Sequence, residues 1–305
     1  MKRIYIIIPS NRFTKLPPET VKIIEQNKIP TIFVKQNLSP FYIKHPYITE
    51  IHTTKTGAAK ARNLGIKYIL KQHGDIFAFT DDDCIITTSW IKTIKKFFTN
   101  PNHHLVQGQT KAYQPQKHLG QTCSCTFSTN TSKPIASLHC LADNALGFSN
   151  NLAIDKFLIK KLGGFNPQLG VGTPSLGGED DDIFIRTLLL NESIYNGKDM
   201  LVFHNKWLND QELNTAYRHY TFSFACTFGI HALSGNHDCQ KILFKKFLNN
   251  FLNGLKYLKY FLSPKRCWEL ISEQNIQTIY FIRGFLYAFT LTVYKPPTPT
   301  SHHLS

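Results

Sequence analysis

The chain opens on an unbroken run, Ile4–Ile8, closed by Pro9. A run that short and rich in isoleucine reads as a central strand buried on both faces. Helical spacing follows at Pro18–Asn27, then a second strand at Thr31–Val34. Thr56-Gly57 opens a helix over Ala58–Lys71, where Ala61, Leu64, Ile66, Ile69 and Leu70 recur at near-helical intervals. Ile76–Thr80 is the next strand and Ser89–Phe98 the next helix. This alternation predicts an α/β fold: a mostly parallel sheet with helices on both faces. Further on, Leu105–Gln109 and Ala145–Ile154 read as strands. Asp155–Leu162 reads as a short helix capped by Asp155 and stopped by Gly163-Gly164. A glycine-rich loop over 168–178 precedes a helix at Asp180–Asn191 and a strand at Met200–Phe203.

After residue 240 the pattern changes. Phe244, Phe247, Leu248, Phe251, Leu252 and Leu255 lead an apolar stripe that runs on through Leu258, Phe261 and Leu262, and lysines accompany it. Residues 241–295 hold nine lysine and arginine residues against two glutamates. A basic amphipathic helix over 241–262 suits an anionic membrane surface, or equally packs on the preceding domain with its lysines in water. Ile276–Val293 is apolar but carries Gln277, Arg283 and three threonines, which favours a buried or interfacial helix over a membrane span. The expected organisation is a catalytic domain over 1–238, a helical extension over 239–295 and a disordered tail over 296–305.

The full chain has 305 residues and a formal net charge of +15, which points to an anionic partner without choosing one. The apolar run behind Met1-Lys2-Arg3 is too short for a secretory signal, so the expected location is the cytoplasm, with peripheral attachment to the inner face of the membrane through 241–262 as the variant. Seven scattered cysteines fit free thiols in a reducing compartment.

Against that basic background the acidic residues are unevenly spread. Of 20 in all, seven fall in two groups, Asp81-Asp82-Asp83 and Glu179-Asp180-Asp181-Asp182. Adjacent carboxylates repel, and burial raises the cost unless a cation is shared or some stay protonated. The first group follows a buried strand, where open α/β sheets bind ligands. If the strand continues, Asp81 and Asp83 project on one side and suit a hard cation such as Mg2+ or Mn2+ bridging to phosphate. The bland alternative is a solvated turn capping the next helix. The second group opens a helix after glycines; helix capping explains some of its acids but not four. His204 gains weight only if it faces the same cation.

These segments, in this order, resemble the family 2 glycosyltransferases over roughly residues 3–230. Ile8-Pro9-Ser10-Asn11-Arg12 looks like their first-strand donor loop, and Gly57 through Gly65, with Arg62-Asn63, like their Gly-x-x-x-Ala-Arg-Asn helix start. Phe79-Thr80-Asp81-Asp82-Asp83-Cys84 resembles their Asp-x-Asp motif. Ser149-Asn150-Asn151-Leu152-Ala153 and Gly163-Gly164-Phe165-Asn166 resemble two further landmarks, Gly178-Glu179-Asp180-Asp181-Asp182 the acidic helix, and His204 the late metal ligand. The segment 110–140 matches poorly. Where the family carries an acidic base-reader, this chain has Lys35-Gln36-Asn37, and Asn166 stands where the family commonly has Asp.

The resemblance implies a GT-A fold, Rossmann-like, and an inverting, metal-dependent transfer from a nucleotide-diphosphate sugar, a UDP-sugar first, to a glycan, lipid-linked or protein acceptor. It implies Mn2+ or Mg2+ on Asp83, His204 and Asp81. Donor contacts fall to Pro9, Ser10, Asn11, Arg12, Gln36, Gly57, Arg62, Asn63 and Asp81–Asp83. Asp180 becomes the general base, and Glu179, Asp180 and Asn151 face the acceptor. Two rivals stand beside this reading: a nucleotidyltransferase on a similar scaffold, and a non-catalytic polyanion- or nucleic-acid-binding protein. The second has the charge in its favour, but no nucleic-acid-binding motif is present, and no nucleic-acid partner is expected.

Overall fold

A computed structural model describes residues 2–13, 15–38, 44–130, 134–139, 146–256 and 264–294, with the backbone alone at 251, 253–256 and 264–275. Ala145, Leu258, Lys259, Phe261, Leu262 and the stretch 295–305 lie outside the described residues.

In chain order the elements are β1 (Ile4–Ser10), α1 (Pro18–Asn27), β2 (Thr31–Gln36), β3 (Ile48–Thr53), α2 (Ala58–Lys71), β4 (Ile76–Thr80), β5 (Cys84–Ile86) and α3 (Thr88–Phe97). Then come β6 (Leu105–Ala112), β7 (Thr122–Cys123), β8 (Asn151–Asp155), α4 (Lys156–Leu162), α5 (Glu179–Leu189), β9 (Ile194–His204) and β10 (Trp207–Leu208). Three long helices finish the chain: α6 (Asp210–Leu233), α7 (His237–Lys256) and α8 (Pro264–Ala288). The two acidic clusters frame the middle: one lies between β4 and β5, the other opens α5.

Eight strands form one sheet in the order β3-β2-β1-β4-β8-β6-β9-β5, and β7 pairs with β10 beside it. β1 runs parallel to β2 and β4, and β6 parallel to β9. β8 is antiparallel to both β4 and β6. The carboxyl ends of β1, β4 and β9 and the start of β8 therefore share one edge. That edge receives Ser10, Thr80, His204 and Asn151 together.

Side chains alternate across the strands, as the pleat requires. Ile7, Phe77, Phe79, Leu152 and Ile154 face one core layer; Ile6, Ile8, Ile76, Ala78 and Ala153 face the other. The first layer is covered by α2, α4, α5 and α6, and it takes in Cys239, Ile242 and Leu243 of α7 and Phe281 of α8. The second is covered by α1 and α3, where Trp90 is fully buried. Each Ile, Leu or Phe side chain so taken from water contributes roughly 1.5–3 kcal/mol, so the edge bearing the acids rests on a dense apolar floor.

Local signals set the boundaries. Thr87 accepts from the backbone N–H of Trp90 to start α3, and Asp155 accepts from Leu158 to start α4. Gly163, in the left-handed region at φ 68°, ends α4. Asn209 and Glu212 form a reciprocal capping box at α6. Cys84, Cys123, Cys125, Cys226 and Cys239 are free thiols.

Candidate active site

The Asp triplet does not extend β4. The strand ends at Thr80, and the chain turns so that the Cys84 N–H donates to the Asp81 carbonyl at 3.1 Å. The expected same-side projection of Asp81 and Asp83 fails for that reason. Asp81 takes Arg62 Nη2 at 2.8 Å, while Asp82 and Asp83 share Arg12 Nη2 at 2.7 and 2.8 Å.

Ser10, at the end of β1, donates its hydroxyl to Asp82 at 2.5 Å and accepts from the Phe13 N–H at 3.0 Å. Pro9 is committed to β1 opposite Val34. Asn11 is exposed at the head of the loop. Burial pushes the Asp82 carboxyl up, against Arg12 and Ser10. Burial also presses Asp83 upward, but His204 and Arg12 outweigh it and hold Asp83 well below the usual carboxylate range.

His204 Nε2 lies 3.2 Å from Asp83 Oδ1, and the His204 Nδ1 donates to the Ser124 carbonyl at 2.6 Å. Burial alone would lower this imidazole. The bond to Asp83 wins, and His204 is pushed up to about 11. β5 makes the encounter: Cys84 pairs in register with His204, so the residue before Cys84 meets the end of β9.

Asp83, Cys84 and His204 place one ligand atom each within 4.8 Å of one another. A carboxylate and an imidazole whose Nδ1 proton is fixed by a carbonyl fit a divalent cation, with Nε2 as the donor. The Cys84 thiol is raised by burial and by Asp81 and Asp83, so it stays protonated and is the weakest of the three. Asp81, paired with Arg62, stands apart from this set.

The second cluster is reached through Arg62 on α2. Arg62 Nη1 donates to Glu179 Oε1 at 2.8 Å, with both side chains almost fully buried. Burial and Asp180 push Glu179 up to about 7 against the pull of Arg62. Burial also raises Asp180, whose carboxylate accepts from the Ser149 N–H at 3.3 Å. Asp182 points the other way. It is held by Arg186 at 2.7 Å and His231 at 3.0 Å, which overcome burial and lower it.

Several expected donor or acceptor residues are occupied internally. Asn63 accepts from and donates to the backbone of Phe165 at 2.8 and 2.7 Å, and the Phe165 ring lies under Arg62. Asn151 accepts from Trp90 Nε1 at 2.7 Å and donates to the carbonyls of Gln109 and Met200. Asn166 is buried and accepts from the Gln168 N–H. Gly57 precedes α2 at φ 121°, and its neighbour Ala58 donates to Val171, tying the glycine-rich loop to the start of α2. Gln36 is buried with Oε1 unpartnered among the described residues. Lys35 is also buried and pairs with Glu50 of β3 at 2.7 Å.

Sequence reasoning missed Ser124, Arg186 and His231. Ser124 acts through its carbonyl and leaves no residue-type signal; Ser149, quoted only as part of a motif, acts through its backbone N–H. Asn150, quoted only as part of a motif, is buried with Nδ2 unpartnered and Oδ1 on Thr110.

Residues 33–157 match the family model of glycosyl transferase family 2. The match runs from β2 into the start of α4, so it includes the Asp triplet and ends before the acidic helix. Among solved structures, the chain is similar to S. aureus TarS, residues 1–349, in complex with UDP-GlcNAc. The TM-score is 0.51 at 13% identity, covering 96% of this chain and 93% of that one. The same protein in complex with UDP gives a TM-score of 0.50 at 13% identity, covering 94% and 91%. At that identity the likeness establishes the fold, which is GT-A with a helical C-terminal part. No curated protein matches the chain in sequence.

Proposed function

We propose that the protein transfers a sugar from a nucleotide-diphosphate donor to an acceptor hydroxyl, with inversion at the anomeric carbon. The observation that carries this reading is the convergence of Asp81–Asp83, His204 and Glu179-Asp180 on one sheet edge, with Arg12 on Asp82 and Asp83 and Arg62 bridging the two clusters. The family match over 33–157 supports the reaction class. TarS structures contain UDP and UDP-GlcNAc, which makes uridine diphosphate sugars the first donors to test.

Asp83 and His204 are assigned to a divalent cation, Mn2+ or Mg2+, which would neutralise the diphosphate leaving group. Arg12, with its side chain 45% exposed, is assigned to the donor phosphates, since a guanidinium matches them bidentately. Arg62 is assigned to ordering: it fixes Asp81 towards the donor and Glu179 beside the acceptor. Gln36, with its unpartnered carbonyl, is assigned to a donor N–H such as that of a base. Asp180 is the general base. The acceptor oxygen bonds to the anomeric carbon, its proton passes to Asp180, and the bond to the diphosphate breaks as the nucleoside diphosphate leaves. Burial raises Asp180 towards the working range of a base.

The test is a thermal-shift screen of nucleotide sugars with and without Mn2+, followed by product analysis. The expected result is a metal-dependent shift with one donor and release of a nucleoside diphosphate. Asp180→Asn should retain the shift and lose turnover by about 10²–10⁴-fold. Near-normal turnover in that variant would sink the assignment. Pyrophosphate release from a nucleoside triphosphate would point instead to nucleotidyl transfer.

A further inference from the structure

α7 and α8 meet along an apolar groove of about 420 Å³, floored by Leu243, Phe247, Phe281 and Phe285. Its rims, Phe244 and Ile282, stand 67% and 43% exposed. The exposed apolar surface continues along both helices. Leu248 and Leu252 follow Phe244 at steps of four on α7; Ile279, Leu286 and Phe289 flank Ile282 at steps of three to seven. A helix face turned to water ordinarily carries polar residues at such positions.

Positive charge lies on the same faces. Lys241 and Leu248, and Lys245 and Leu252, are seven residues apart and so share a side of α7. Arg283 sits between Ile282 and Leu286 on α8. The whole segment 241–295 is strongly basic, with nine lysine and arginine residues against two glutamates.

We propose that this face docks on an anionic lipid surface. Phe244, Leu248, Ile282 and Leu286 enter the boundary between headgroups and acyl chains, and the basic residues meet the anionic headgroups. A second copy is the weaker occupant. A symmetric interface sets the same patch against itself and would bring these like charges together. An anionic bilayer satisfies both features at once. The attachment lies on the surface, since no helix among the described residues is long and apolar enough to cross a membrane.

The test uses the full chain in flotation with vesicles of phosphatidylglycerol and phosphatidylcholine, against phosphatidylcholine alone. The protein should float with the anionic vesicles, weakly or not at all with the neutral ones, and less as salt rises. The double variants Phe244→Asp/Leu286→Asp and Lys241→Glu/Lys245→Glu should each weaken binding by roughly tenfold or more. Both pairs are solvent-facing, so an unchanged melting temperature certifies the fold. No flotation with anionic vesicles at low salt overturns the proposal. So does wild-type flotation of both folded double variants, or a concentration-dependent dimer that Phe244→Asp abolishes. The readout is independent of any sugar transfer, so it stands or falls apart from the proposed reaction.

Discussion

Arg62 and Glu179 are separated by 117 positions in sequence and meet at 2.8 Å inside the protein. The same guanidinium holds Asp81, so one side chain on α2 joins the two acidic clusters. Removing it leaves the buried Glu179, already beside Asp180, without a cation, and strips the partly exposed Asp81 of its partner. Arg62→Met is expected to cost about 3–5 kcal/mol of stability, read from urea unfolding. Adding Glu179→Gln should recover part of that loss, because one of the stranded charges is then gone. A loss below about 1 kcal/mol, in the range of exposed pairs, would contradict the buried bridge.

The proposed cation site on His204 and Asp83 predicts binding that depends on pH. Despite burial, the bond to Asp83 pushes His204 up to about 11, above its ordinary 6.5. A group raised on folding stabilises the protein fully below its unfolded value. In the metal-free protein that contribution is therefore complete below about pH 6.5 and is lost as pH rises to about 11. A cation on Nε2 must displace the same proton, so affinity for Mn2+ should rise with pH by up to about tenfold per unit. Calorimetric titration across neutral pH checks this. Asp83→Asn should abolish binding, and a pH-independent affinity in the wild type would remove His204 from the ligand set.

Asp180 predicts the acid limb of the rate. A general base works deprotonated, and burial raises this carboxyl above the ordinary 3.8. Turnover should therefore fall on acidification at a pH higher than an exposed aspartate would give. A profile flat down to the ordinary carboxylate range would exclude Asp180 as the base.

Gly178 holds the acidic helix against α6. Its φ is +88°, and a Cβ there would lie 2.1 Å from Thr227 Oγ1. Gly178→Ala is expected to cost about 1–3 kcal/mol by thermal or urea unfolding. Thr227→Ala in the same chain should relieve the collision but leave the backbone term of about 1 kcal/mol. Full rescue would mean that the left-handed backbone carries no strain.

Legibility in the sequence followed burial. α1, α2 and β4 fall at the expected residues because their apolar spacing is unbroken. β3 was hidden because its sequence, Ile48 to Thr53, mixes polar residues into an edge strand. β5 is only three residues long. α6 was missed because residues 222–232 are buried almost all round, leaving no polar face to give a period. The two acidic clusters stood out as a charge anomaly, and Arg12 and Arg62 as candidates beside them. Their pairing was not legible: it comes from the turn after Thr80 and from contacts between distant elements. Nor were the internal bonds of Asn63 and Asn151 legible, whose amides hold Phe165 and the strand edge in place.

α6 touches the candidate site and the basic face alike. Tyr220 lies beside Cys125, Thr227 beside Gly178, His231 on Asp182, and Leu233 at the groove. From Tyr220 to Leu233 the helix rises about 20 Å at 1.5 Å per residue. It is therefore a ruler. Under the proposed docking and the proposed reaction together, it would hold the candidate site at a fixed stand-off from the lipid surface and select acceptors that present a hydroxyl at that height.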